Sequence, residues 1–231
     1  MAEKTKGYRL HPVQIVVEIA IVTVGIVIAF QLSNWRVNRD RAKTESEVLG
    51  EIKSNLELDL YDINQNIYGH ENRLKLIDTL RNYEQYEIPD ERVGEHISRI
   101  FRDYVFIPQT GAFETLKAKG VDLIQNDSLR TRILRLYDFY YSAAVQVEGE
   151  WAPAQFYPDL RHIMDTYYDR FDVLNKIIQP KSPSTNWINN SDVQIRFDHC
   201  LNQIEFLLSI YHPLNEMVKG LISDIDKELK R

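Results

Sequence analysis

The chain has one cysteine, Cys200, so no intrachain disulfide can form and a disulfide-stapled secreted scaffold is excluded. Its 9 glycines and 8 prolines are too few for a fibrous repeat or a low-complexity disordered chain. No two glycines lie two positions apart, which removes the G-x-G-x-x-G phosphate loop, and no Walker-type loop occurs. H-E-x-x-H, G-x-S-x-G and C-x-x-C are missing too, as are the paired Glu-x-x-His motifs of a di-iron bundle. Positive charge is in deficit: 28 basic against 34 acidic side chains give a net charge of −6. Of these only Glu3, Lys4, Lys6, Arg9 and Glu18 precede residue 36, so the rest of the chain is more acidic still. A surface that acidic does not suit a phosphate backbone, and nucleic acid is not expected as a partner. Alternating apolar runs are rare, which leaves little room for strands, whereas helix-period runs are long.

What the sequence does have is one long hydrophobic run. Val13 to Leu32 reads VQIVVEIAIVTVGIVIAFQL, about 20 residues, or roughly 30 Å as a helix, the thickness of a bilayer's hydrocarbon core. Pro12 suits the first helical turn, where the missing N–H costs nothing. Trp35 sits where an interfacial aromatic belongs, and Arg36, Arg39 and Arg41 follow as headgroup contacts. The run is longer than the apolar stretch of a cleaved signal peptide and no A-x-A-like site follows, so an uncleaved signal anchor over residues 13–35 is expected behind a short tail, 1–12. Lys4, Lys6 and Arg9 on one flank nearly balance Arg36, Arg39, Arg41 and Lys43 on the other. The small lean is toward a cytoplasmic N-terminus in a bacterial inner membrane, with the large domain on the periplasmic side.

Glu18 is the anomaly in this run. A carboxylate within a membrane helix costs on the order of 2–3 kcal/mol, so it faces protein or water or is protonated. On a 3.6-residue helix Gln14, Glu18, Gly25 and Ala29 share one stripe, and Gly25 with Ala29 forms a small-xxx-small pair that admits a second helix. The stripe predicts helix packing, either as a homo-oligomer or against another membrane protein. The plainer reading is that Glu18, about one and a half turns deep, snorkels to the interface. A third reading makes it part of a polar path in a pore or transport component.

Beyond the run, Leu49, Ile52, Leu56, Leu60, Ile63, Ile67, Leu74, Ile77 and Leu80 recur at three- and four-residue steps. They predict a long amphipathic helix over 36–88, as a stalk or bundle helix, with no proline from Val13 to Ile88 to stop it. Asp59, Asn66, His70 and Arg73 fall on heptad positions, which argues against a strict coiled coil and for one helix of a bundle. Gly69 is a candidate kink or break. Residues 89–231 then read as a helical bundle, with Gly120 as a C-cap, Asn126-Asp127-Ser128 as an N-cap, a helix through Ile163, Tyr167 and Phe171, and a break or kink at His212-Pro213.

Candidate chemistry in the bundle is thin. His162, Asp165 and Asp169 follow one another at helical spacing, but no second cluster completes a metal shell, and a solvated helix face is the simpler reading. His199 and Cys200 are adjacent and so point apart on a helix; Cys200 reads as a small buried hydrophobe. Aromatics crowd the interval Tyr137–Phe171, which is either a packed core or the wall of a ligand-binding sensor. No cofactor is expected, nor any catalytic residue.

Two stretches carry a resemblance. Glu18 to Arg36, EIAIVTVGIVIAFQLSNWR, is similar to the opening of an uncharacterised family of bacterial single-pass membrane proteins known mainly from Bacteroidetes, with a Glu-Ile start, a Gly-Ile-x-Ile-Ala core and an Asn-Trp exit. Ala112 to Tyr140, AFETLKAKGVDLIQNDSLRTRILRLYDFY, resembles that family's aromatic-Glu-x-Leu-Lys segment. Ser33 stands where an Asn is more usual before Asn34-Trp35. The resemblance implies a membrane helix with a helical domain and brings no activity with it. The expectation is therefore an all-α, membrane-anchored interaction or accessory protein without enzymatic activity, oligomeric through its membrane helix.

Overall fold

The computed structural model describes residues 12–102, 104–151, 156–172 and 177–230. Its elements are almost all helical: α1 (Pro12–Arg81), α2 (Asp90–Ile100), α3 (Gly111–Lys119), α4 (Asp127–Arg135), α5 (Ser142–Gln146), α6 (Tyr157–Tyr167) and α7 (Ser191–Glu228). One antiparallel hairpin, β1 (Tyr168–Asp172) with β2 (Ile177–Pro180), interrupts them. The all-α expectation holds. By internal contacts the chain divides into two compact units, Met1–Glu47 and Val48–Arg231.

In the first unit the described residues are the N-terminal part of α1, a helix apolar over a whole bilayer length. Among the described residues it is the one helix long and apolar enough to cross a membrane. Thr23 Oγ1 folds back to the carbonyl of Ile19 at 2.8 Å, so the one hydroxyl in the run is satisfied within the helix.

The second unit is built around α1 and α7, which run antiparallel: Lys53 meets Asp226 at 2.7 Å, Asn64 meets Asn215 at 2.9 Å, and Arg81 meets Asp198 at 2.9 Å. Two apolar cores lie along this pair. One gathers Leu49, Ile52, Leu56 and Ile63 of α1 with Phe113, Leu116, Ile133, Tyr137 and Tyr141, and with Leu214, Val218 and Leu221 of α7. The other gathers Ile77 and Leu80 with Val93 and Ile97 of α2, Leu160 and Ile163 of α6, and Val193, Phe197, Cys200 and Ile204 of α7.

The segment between α4 and Trp151 alternates α and π geometry, with π-helical turns at Leu136–Tyr141 and Val147–Trp151. Such widened turns often mark functional positions; these hold Tyr137, Tyr141 and Glu148. The Asn126 side chain accepts the Leu129 N–H at 3.2 Å and Gly120 takes φ 99°, so the cap and the C-cap glycine stand as expected.

Several local expectations are corrected. The long helix ends at Arg81 rather than Ile88: Glu87 adopts φ 50° and the Ile88 N–H returns to the Tyr83 carbonyl at 3.2 Å, closing a tight turn. Gly69 does not break α1, which is continuous through it; a Cβ there would come within 2.2 Å of the Tyr104 ring, so the glycine serves a close approach. α7 runs on through Pro213. Phe171 is in β1 rather than on a helix with Ile163 and Tyr167.

Candidate functional site

The membrane stripe comes first. Glu18, Gly25 and Ala29 are exposed along α1, and a Cβ on Gly25 would meet nothing. The Gln14 side chain lies outside the described residues. Trp35 is exposed, and the Arg39 guanidinium sits 5.5 Å from its ring centroid, one turn on, while Arg36 is exposed beside it. This i, i+4 aromatic–cation pair is of the kind that sits at a headgroup boundary.

The second unit contains a feature that hydrophobic periodicity does not mark. Ile52, Leu56, Asp59, Ile63, Asn66, His70, Arg73, Ile77 and Leu80 step along α1 by alternating fours and threes, and all are buried. Four of the nine are polar, and Asn66, His70 and Arg73 occupy the stretch between the two apolar cores. The one trace of it in the sequence is that 4-3 spacing, which does not by itself say that the polar residues turn inward. The apolar residues Leu60, Ile67 and Leu74, assigned to the inner face, are only partly buried at its margin.

The polar stripe has a local purpose. Residues 104–110 belong to no helix or strand, so their backbone N–H groups need other acceptors. Carboxylates take that role: Asp59 accepts from Gln109 N–H at 2.7 Å, Asp62 from Ile107 N–H at 3.0 Å, and Glu148 from Phe106 N–H at 2.9 Å. Asn55 adds a 3.4 Å bond to the Gln109 carbonyl, and Arg73 Nη2 donates to the carbonyl of Arg102. Phe106 turns inward, edge-on to Tyr141 at 4.9 Å between centroids, while Val105 and Ile107 face out. The segment is a strap tied to α1 by side chains.

The carboxylates that tie the strap also accept tyrosine hydroxyls: Tyr141 donates to Asp59 at 2.9 Å, and Tyr211 donates to Glu148. Burial pushes Asp59 up to about 6 despite those two bonds, and pushes Glu148 up to about 7. Burial, with the Arg73 charge nearby, holds His70 down at about 3. His70 is therefore a neutral ring, packed 5.8 Å from Tyr104 and 5.6 Å from Tyr211, and neither ring nitrogen has a hydrogen-bond partner among the described residues. The cluster fixes the strap. None of its groups is placed as a nucleophile with its base.

At the His70 end, Tyr68, Asn72, Arg73, Arg99, Arg102 and Tyr104 line a cleft of about 240 Å³. The other residues singled out from sequence do not converge. His162 pairs with Asp192 at 3.3 Å, the Asp165 carbonyl accepts Lys181 Nζ at 2.8 Å, and Asp169 is in β1. Among the described residues no group of His, Cys, Asp and Glu is arranged to hold a metal ion. Cys200 is buried, with burial pushing its thiol up to about 12, while His199 faces out to Asp159 at 3.3 Å. The Tyr137–Phe171 aromatics divide: Tyr137 and Tyr141 belong to the first core, Phe156 and Tyr168 to the second, and Phe139 is exposed.

The sequence profile of a family described as a family of unknown function (DUF6090) matches residues 18–156, more than half of the chain. The chain belongs to this family. The DUF6090 match opens at Glu18 and takes in the rest of the membrane stripe, the polar face of α1, the strap and Glu148. Tyr211, which packs against His70 from α7, and Asn215, which donates to Asn64, fall after the DUF6090 residues. No curated protein matches the chain, and no solved structure does.

Proposed function

We propose that this protein is a membrane-anchored, non-enzymatic helical interaction or accessory module that oligomerises through its membrane helix. The observation that carries the reading is the exposure of eleven large apolar side chains between Val16 and Leu32, each 50–66% accessible. Covering them is worth on the order of 15 kcal/mol, against roughly 2–3 kcal/mol for one intramembrane carboxylate. The apolar term wins, and lipid is the partner that fits a helix exposed on every side. The open Glu18–Gly25–Ala29 stripe supports a second helix as a further partner. The resemblance to bacterial single-pass proteins supports an inner-membrane setting, and the basic residues flanking the run lean slightly toward the helical domain on the periplasmic side.

The test has three readings. Alkaline carbonate extraction should leave the chain in the membrane pellet; release into the supernatant removes the anchor. In-membrane cross-linking should give a dimer or higher species that Glu18→Leu weakens; unchanged cross-linking removes the oligomer. For orientation, Cys200→Ala with a cysteine added after Arg231 should react with an impermeant maleimide on intact spheroplasts. Labelling only after lysis places the domain in the cytoplasm.

A further inference from the structure

We propose that the helical domain carries a self-complementary surface for a second copy of this chain, in which Phe139 of each copy enters an apolar pocket of the other. Phe139 lies within the π-helical turn Leu136–Tyr141, is 60% accessible and belongs to neither apolar core. An aromatic ring with a pocket beside it is the kind of residue that anchors a protein–protein contact.

The pocket adjoins the ring. Leu136, Tyr140, Met217 and Leu221 enclose about 190 Å³ of space between this turn and α7, with Arg132 and Arg135 at the rim. Leu136 and Leu221 are buried and form the floor, while Tyr140 and Met217 are half-buried walls packed on the first core. The rim is held on both sides: Arg132 is ion-paired to Asp224 of α7, and the Arg135 guanidinium lies 5.5 Å from the Tyr140 ring centroid. An apolar cavity of about 150 Å³ accepts a benzene ring, so a phenyl side chain fits here. Phe139 does not line the pocket; its ring meets the Tyr140 wall edge-on, 5.2 Å between centroids.

That adjacency decides the occupant. Knob and hole side by side on one surface meet the condition for an isologous contact, because a two-fold axis between them seats both knobs at once. The charges beside the knob agree. Arg135 and Asp138 are both exposed, and the axis brings Arg135 of each copy toward Asp138 of the other, two pairings of opposite sign. Lys117 is close enough to feel Asp138, but its own ion pair is with Glu114 at 2.7 Å. A small apolar molecule would fill the hole and leave Phe139 in water, whereas a second copy covers both. Two anchors with one rim make a small interface, under about 1,200 Å² in total, so the contact is weak and reversible. It uses no residue of the membrane helix and does not depend on the membrane reading above.

The full chain is purified in maltoside detergent with p-benzoylphenylalanine in place of Phe139, as an equal mixture of unlabelled and heavy-isotope-labelled protein. Irradiation should join residue 139 to Met217 or Leu221 in peptides that pair a light chain with a heavy one. In that background Arg135→Glu or Asp138→Lys should lower the yield by about fivefold. The two together should restore it, because both signs are then exchanged. Glu18→Leu, which tests the membrane-helix oligomer, should leave this cross-link in place. Cross-links confined to single chains, light–heavy pairs joined at other residues, or adducts with detergent alone overturn the proposal. So does a double charge exchange that fails to restore the yield, or a complete loss of the cross-link in Glu18→Leu.

Discussion

Asp59 accepts the hydroxyl of Tyr141 at 2.9 Å across 82 residues of sequence, with the same carboxylate also holding the Gln109 N–H at 2.7 Å. One buried side chain thus joins α1, the strap and the π-helical turn. Removing it leaves the buried Tyr141 hydroxyl and the part-buried Gln109 N–H without an acceptor, the costly half of a hydrogen bond's asymmetry.

Asp59→Ala should therefore destabilise the chain by about 2–4 kcal/mol, and Tyr141→Phe by about 1–2 kcal/mol. Asp59→Asn, which keeps an acceptor oxygen, should cost less than Asp59→Ala. Denaturant unfolding in detergent followed by tyrosine fluorescence measures all three. An Asp59→Ala midpoint equal to wild type would mean that the strap is not held there.

Stability should fall as pH rises from about 5 to about 7.5. Asp59 and Glu148 have folded pKa values raised to about 6 and about 7, so their contribution is complete below the unfolded carboxylate range and is lost as pH climbs through those values. His70 acts oppositely: with its folded pKa held at about 3, it stabilises above the ordinary imidazole range and that contribution is lost as pH falls toward 3. The two carboxylates outweigh the one histidine between about pH 5 and 6, and Glu148 alone governs the last part of the fall. Melting temperature against pH tests this directly. Glu148→Gln should flatten the decline above about pH 6, and a variant curve parallel to wild type would contradict it.

Gly69→Ala should destabilise by about 1–3 kcal/mol, because the new methyl group occupies the place of the Tyr104 ring. Helix propensity alone predicts the opposite sign, a gain of about 1 kcal/mol. In a Tyr104→Ala background the sign should revert to the gain. A double-mutant cycle on thermal melts separates the two effects; additivity would show that the ring does not rest on Gly69.

Cys200 should resist thiol reagents in the native chain. It is fully buried with a raised pKa, so reaction waits for opening of the second core. Maleimide labelling under native conditions should run at least a hundredfold slower than in denaturant. Rapid native labelling would place Cys200 outside the core.

The apolar run, the helical period after it, the Asn126 cap and the Gly120 C-cap were all readable from sequence, because each depends on neighbours within a turn or two. The hairpin was not. Tyr168–Asp172 and Ile177–Pro180 pair with each other at the end of α6, and the spacing of Ile163, Tyr167 and Phe171 suits a continued helix equally well. Gly69 was ambiguous for a similar reason: a glycine inside a helix looks the same whether it bends the chain or makes room, and only the position of Tyr104 shows that it makes room.

The sequence by itself determined a helix apolar enough for a bilayer, an acidic helical domain behind it, and a family whose profile spans residues 18–156. Only the tertiary structure decided that Asp59, Asn66, His70 and Arg73 face inward. Periodicity assigns a residue to a face by its own polarity, and polar residues default to water. Whether a carboxylate or a guanidinium can leave water depends on the groups waiting for it, here the Gln109 N–H, the Tyr141 hydroxyl and the Arg102 carbonyl. Those partners are distant in sequence, and folding alone brings them within reach.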